Sequence, residues 1–206
     1  MSIEAASHEG VGGWRTQFAR PSGRLGWLVG HLMAIKNRER SDWVLSRLNL
    51  DEEDRVLEIG FGPGVDIKRA SHRAGYVYGV DPSDVMVEQA RRRNAVAVAA
   101  GRVNLQVGAM PRLPFDDATF DKAFAINSYQ FWPDRRESLD ELRRVMQPNG
   151  CVAIAVQPRH AGATESTARD VGRDIAAMLE SAGFSEVRIA FKKMKPVSTA
   201  CVTATA

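Results

Sequence analysis

The chain has 206 residues, of which 44% are hydrophobic and 26% charged, with a net charge of +3. That length suits one α/β domain with a full core rather than two, and the mild charge permits an acidic partner without demanding one. Cys151 and Cys201 lie far apart, and His8, His31, His72 and His160 are scattered, so a disulfide framework and a metal motif are both unexpected.

Residues 1–20 are rich in Gly, Ser and Ala and read as loosely structured. They lack the basic start and apolar run of a signal peptide. From Pro21 the pattern turns helical. The apolar stretch Leu25 to Ile35 is about half of the roughly 20 residues that a bilayer span needs. A cytoplasmic protein is the expectation. The segment carries Leu25, Leu28, Val29, Leu32 and Met33 beside Arg24, Lys36, Arg38 and Arg40. It reads as a lid over the domain, with an interfacial helix on acidic lipid as the second reading. Ser41 and Asp42 are read as caps of a second helix.

After this the chain alternates. "RVLEIG", "YVYGVD", "VNLQVG", "FDKAFAIN" and "CVAIAVQ" read as strands. Between them "VDIKRASHRA", "PSDVMVEQARRRNAVAVAA" and "RRESLDELRRVM" read as helices, the last capped by Asp134. "STARDVGRDIAAMLESAG" is a further helix, and "SEVRIAFKK" and "STACVTATA" are final strands. The link around Pro196 is too short for a crossover, so these two pair antiparallel. The fold class is α/β: a Rossmann-like, doubly wound, seven-stranded and mostly parallel sheet, with an antiparallel strand near the C-terminus. Residues 1–50 are expected to form the helical lid and substrate region, and residues 51–206 the main domain.

The stretch "VLEIGFGPG" places Glu58 at the lip of the first strand and glycines at 60, 62 and 64. A dinucleotide fingerprint would be G-x-G-x-x-G, and Val65 breaks it. Asp81 ends the second strand and suits the two ribose hydroxyls of a nucleoside. That fits either NAD or S-adenosylmethionine (SAM). Glu58 separates them, because a carboxylate there repels a pyrophosphate and favours an ammonium group. The glycines then clear room for the amino-acid part of SAM.

These residues resemble the class I SAM-dependent methyltransferases, in the small-molecule Methyltransf_11 or UbiE-like group, over roughly residues 54–156. "VLEIGFGPG", "GVDPSDVMVEQARRR", "VGAMPRLPFDDATFDKAFAINSYQFWPD" and "ELRRVMQPNGCVAIAV" carry the resemblance. It implies a cofactor site of Glu58, Gly60, Phe61, Gly62 and Gly64, then Asp81 on the ribose, with Pro82 and Met86 near the adenine. Gly108, Ala109 and Met110 would flank the ring, and Asn127 the methionine part. The product would be S-adenosyl-L-homocysteine (SAH). Where the family has an acidic residue after Gly108, this chain has Ala109, so one hydrogen bond to the adenine, worth roughly 0.5–1.5 kcal/mol, is missing.

Tyr129, Phe131 and Trp132 are read as a wall at the methyl group, although Trp132 reads equally as core. His160, in "QPRH", and Tyr129 are the catalytic candidates, His160 as a base. "NSYQ" lacks the prolines of nucleobase amine methyltransferases. Arg91, Arg92 and Arg93, Arg143 and Arg144, and Lys192 and Lys193 read as solvated faces, so nucleic acid is disfavoured. The expected reaction is methyl transfer to a small-molecule acceptor at O, N or C. A phospholipid amine methyltransferase with peripheral membrane contact, a non-catalytic SAM-binding protein and an NAD-linked oxidoreductase are the rivals.

Overall fold

The computed structural model describes residues 38–206. The expected lid helix over residues 24–40 therefore lies outside the described residues up to residue 37. The first described element is helix α1 (Arg38–Leu48), followed by β1 (Arg55–Ile59), α2 (Val65–Ala70) and β2 (Tyr76–Asp81). Next come α3 (Asp84–Arg93), α4 (Ala95–Ala99), β3 (Val103–Val107) and β4 (Phe120–Ile126). A short 3-10 turn at Tyr129–Phe131 leads to α5 (Arg135–Val145) and β5 (Met146–Val156). The chain ends with α6 (Glu165–Ser181), β6 (Ser185–Lys192) and β7 (Thr199–Thr205).

The strands form one seven-stranded sheet in the order β3-β2-β1-β4-β5-β7-β6. β7 runs antiparallel to both β5 and β6, and the other pairs are parallel. The expected reversed strand is therefore β7, inserted between β5 and β6. The sheet has an apolar layer on each face. Leu139, Leu142, Ile175 and Leu179 from α5 and α6 cover one face, and Val44, Leu45, Ile67 and Ala90 from α1, α2 and α3 cover the other. Strands buried on both faces need continuous apolar runs, which "CVAIAV" supplies and "VLEI" supplies apart from Glu58.

Three expectations change. Ser41 and Asp42 lie inside α1 rather than at its cap, and α1 packs into the same core as β1 and β4. The single helix expected after Asp81 breaks at Asn94, whose side-chain amide donates to the carbonyls of Gly64 (3.0 Å) and Ala90 (2.8 Å). β5 begins at Met146 instead of Cys151, with a register shift where "QPNG" loops out of the ladder. The Asp134 cap is as expected: its Oδ1 accepts from the Glu137 N–H at 2.9 Å. No helix among the described residues is long and apolar enough to cross a membrane.

The basic clusters are only partly solvated faces. Arg91 donates to the Leu105 carbonyl at 2.6 Å, Arg93 to the Pro63 carbonyl, and Arg144 to Glu141, Asp117 and the Phe115 carbonyl. Arg92, paired along its own helix with Glu88, fits the expectation.

Candidate functional site

The sheet order reverses between β1 and β4, and in an open parallel sheet the crevice at that switch point is where ligands bind. A cavity of about 720 Å³ opens there. Its floor takes one segment from each strand end in turn: Asp81 from β2, Gly60 and Gly62 from the turn after β1, Asn127 and Ser128 after β4, and Gln157 to His160 after β5. Pro82 and Met86 flank Asp81, and Gly108, Ala109 and Met110 close that end. Phe131, Trp132, Pro133, Pro158 and Val171 make the opposite end apolar.

Asp81 holds the glycine turn. Its Oδ2 accepts from the Gly62 N–H at 2.8 Å and its Oδ1 from the Ser83 N–H at 3.0 Å. Burial raises its pKa, and these two backbone donors oppose the rise. A carboxylate has about four acceptor positions, so each oxygen retains one for a ligand hydroxyl.

The three glycines serve different purposes. A Cβ on Gly60 would lie 2.3 Å from the Ser128 Cβ, and one on Gly64 would lie 2.5 Å from the Ala90 Cβ. A Cβ on Gly62 would meet nothing within 4 Å. Gly62 alone leaves its space to the cavity. Gly60 makes way for Ser128, whose hydroxyl donates to the Ile59 carbonyl, and Gly64 for helix α3.

Three of the expected cofactor residues are not in the cavity wall. Phe61 is buried against Gly79, Gly64 packs on α3, and Glu58 is only 2% exposed, its Oε2 with no hydrogen-bond partner among the described residues. The Glu58 carboxyl is held well above the usual range by burial first, then by the charges of Asp66 and Asp81. Tyr129 also stands behind the wall: it is 3% exposed, packs edge-on against Trp132, and its pKa is raised by burial. Trp132 is a buried residue that also lines the cavity, while Phe131 is 53% exposed at its rim.

His160 is exposed at the cavity, with its Nδ1 3.1 Å from the Ala161 carbonyl. A carbonyl only accepts, so Nδ1 carries the proton in the neutral ring and Nε2 is the acceptor.

Glu58→Gln has a signed pH effect. A carboxyl raised in the folded state contributes stability that is full below its unfolded pKa, about 4.3, and lost as pH rises through the folded value. Glutamine removes that loss. The melting temperature of Glu58→Gln relative to the wild type should therefore climb as pH rises from 4 toward 8. A difference that stays flat over that range would show that Glu58 is not held protonated by the fold.

Sequence reasoning passed over Gln157, Arg159 and Arg40. Gln157 Oε1 accepts from Arg40 Nη1 at 2.9 Å and from Arg159 Nε and Nη2 at 3.0 and 2.8 Å. Arg40, read from sequence as part of a basic helix face, is 1% exposed. Burial first, and then the Arg159 charge, push its pKa down to about 10. The signal was in "QPRH", where the residues beside His160 are polar immediately after an apolar strand.

Residues 57–154 match the family model described as "Methyltransferase domain". The uncharacterized methyltransferase YdaC of Bacillus subtilis is 32% identical over 179 residues, covering 86% of this chain and 97% of that protein. The chain belongs to the methyltransferase family. It is also 32% identical over 145 residues to the 27-O-demethylrifamycin SV methyltransferase of Amycolatopsis mediterranei, covering 68% of this chain and 53% of that protein. Against this relative, the chain spans about half the length. A SAM-dependent methyltransferase from Aquifex aeolicus superposes with a TM-score of 0.64 at 23% identity, covering 80% of this chain and 88% of that one. The fold is that of the class I SAM-dependent methyltransferases. The residues present fit that class's methyl donor: the paired acceptors of Asp81, the open face of Gly62 and the buried thioether of Met86 are the groups that would hold its nucleoside.

Proposed function

We propose that this methyltransferase moves the methyl group of SAM to an oxygen of a small-molecule acceptor. The observation that carries the reading is the polarity of the cavity. It runs from the nucleoside cradle at Asp81 and Met86 to a chamber walled by Phe131, Trp132 and Pro133, with His160 at its edge. When bound, SAM supplies a methyl group on a positively charged sulfur. The protein then has two tasks. It must hold the acceptor atom in line with the carbon–sulfur bond, and alignment of this kind can account for much of a rate enhancement. It must also take the proton released as the acceptor is methylated, and His160 Nε2 is the group we assign to that role.

Oxygen is favoured over nitrogen or carbon because the rifamycin relative is by its name an O-methyltransferase. Nothing in the described residues favours the lipid, oxidoreductase or non-catalytic readings. The two cysteines are both free, in keeping with a cytoplasmic placement.

The test is calorimetric titration with SAM and SAH, followed by SAH release over a panel of phenols, hydroxy acids and amines. Saturable binding with turnover on hydroxyl acceptors is expected. Turnover confined to amines would move the acceptor atom to nitrogen, and a folded protein that binds neither nucleoside would end the reading. His160→Gln should lower kcat by about 10²–10³ while leaving the SAH Kd unchanged, as loss of a general base does.

A further inference from the structure

We propose that the acceptor is a neutral phenol of one or two rings, held by its flat face against Trp132 and Phe131 and recognised without a charged partner. This rests on the methyltransferase reading above and specifies its substrate class.

The polar groups at the acceptor end are engaged with one another, and this carries the argument on charge. The Ser128 hydroxyl donates to the Ile59 carbonyl. Asn127 Oδ1 accepts from the Gln157 N–H at 2.8 Å, and Gln130 Nε2 donates to the Asn127 carbonyl at 2.9 Å. Gln157 Nε2 donates to the carbonyls of Lys195 (3.2 Å) and Val197 (2.8 Å), so its amide cannot turn. Its Oε1 therefore stays on Arg159 Nε and Nη2, at 3.0 and 2.8 Å. That edge of a guanidinium is the fork that a carboxylate or phosphate would take, and here it is filled. Arg40 donates to the same oxygen from behind, and the charge of Asp66 opposes its own. Among the described residues that line the cavity, the acidic side chain is Asp81, which holds the Gly62 and Ser83 N–H groups at the other end. An anionic acceptor thus meets an occupied fork, and a cationic one meets no carboxylate beside it. His160 Nε2 is left to accept from a hydroxyl.

The wall sets the shape. Trp132 lines the cavity, yet its Nε1 is buried and has no hydrogen-bond partner among the described residues. The part of the indole that reaches the cavity is therefore its carbon framework. Tyr129 pins that ring from behind, edge-on with centroids 5.1 Å apart, and Arg135 stands over Tyr129 at 5.3 Å. The Trp132 N–H closes the turn on the Tyr129 carbonyl at 3.1 Å. A fixed indole, the Phe131 ring at the rim and the flat rings of Pro133 and Pro158 make a surface for another ring, and aromatic pairs gain beyond the area that they bury. Size adds a bound. A single drug-sized ligand takes a cavity of about 300–1,000 Å³. These 720 Å³ must hold the nucleoside and the acceptor together, so the acceptor is compact.

Four probes that share one skeleton separate charge from shape. SAH-loaded wild type is titrated with 4-ethylphenol, with 3-(4-hydroxyphenyl)propionate and tyramine, which add a carboxylate and an ammonium, and with 4-ethylcyclohexanol, which is saturated. The expected result is that 4-ethylphenol binds at least fivefold more tightly than each of the other three. Trp132→Leu should weaken 4-ethylphenol at least fivefold and leave SAH affinity within twofold. Because Trp132 is buried and its loss may cost the fold, Phe131→Ala, at the exposed rim, is the second variant. It should weaken 4-ethylphenol at least threefold, with SAH affinity and melting temperature kept.

A charged probe that binds as well as 4-ethylphenol, or better, would overturn the neutral acceptor. Equal binding of 4-ethylcyclohexanol would overturn the flat one. No binding of 4-ethylphenol at millimolar concentration, or undiminished binding in Phe131→Ala, would overturn the proposal as a whole. Failure of wild type to bind SAH at all would instead strike the methyltransferase reading beneath it.

Discussion

Asp81→Ala is expected to weaken SAH binding by about 100-fold or more while leaving the fold intact. Two ligand hydroxyls on a charged acceptor are worth about 1.5–3 kcal/mol each, and each 1.4 kcal/mol is a factor of ten in affinity. The same carboxylate fixes the Gly62 and Ser83 N–H groups, so its removal also loosens the turn under the ligand. The stability cost is smaller than the binding cost, because burial disfavours the ionised carboxylate in the folded protein. Asp81→Asn, which retains one acceptor oxygen, should fall between the two. Calorimetric titration with SAH checks the affinity and thermal melting checks the fold. An Asp81→Ala protein that binds within threefold of wild type would show that the nucleoside sits elsewhere.

Strand periodicity and the punctuation at Gly60, Asp81 and Asn127 made the sheet legible in the sequence. Apolar runs bounded by turn residues have few other readings, and alternating strands and helices leave one fold class. That Asp81, Met86 and Ala109 would meet at one end of the cavity was also legible, since they are short-range features of strand ends. Contacts between distant segments were not. The placement of β7 between β5 and β6, the burial of Arg40 against a residue 117 positions away, and the orientation of Gln157 all depend on tertiary packing. Glu58 shows the same limit. Its position at a strand lip was readable, but the burial of its side chain beside Asp66 and Asp81 was not.

The glycine turn gives the sharpest separation of fold from function. Gly60→Ala should destabilise strongly, because its Cβ would overlap that of Ser128 at 2.3 Å and the residue sits at φ +75°. Overpacking costs about 1–3 kcal/mol, and the left-handed backbone adds about 1–2 kcal/mol for a residue with a Cβ. At about 2–4 °C per kcal/mol for a domain of this size, the melting temperature should fall by roughly 10 °C. Gly64→Ala should behave alike, since its Cβ would press on Ala90 from φ +71°. Gly62→Ala should not. Its φ of +52° brings the backbone penalty alone, so a fall of about 2–8 °C is expected. Its new methyl group, however, would stand in the cavity where the ligand must approach the backbone, and SAH affinity should drop at least tenfold. Melting curves and SAH titrations on the three variants read both effects. Gly60→Ala melting within 2 °C of wild type, or Gly62→Ala binding SAH as wild type does, would refute this division. In a turn with three glycines at alternate positions, two are then required by the side chains packed against them and one by the ligand.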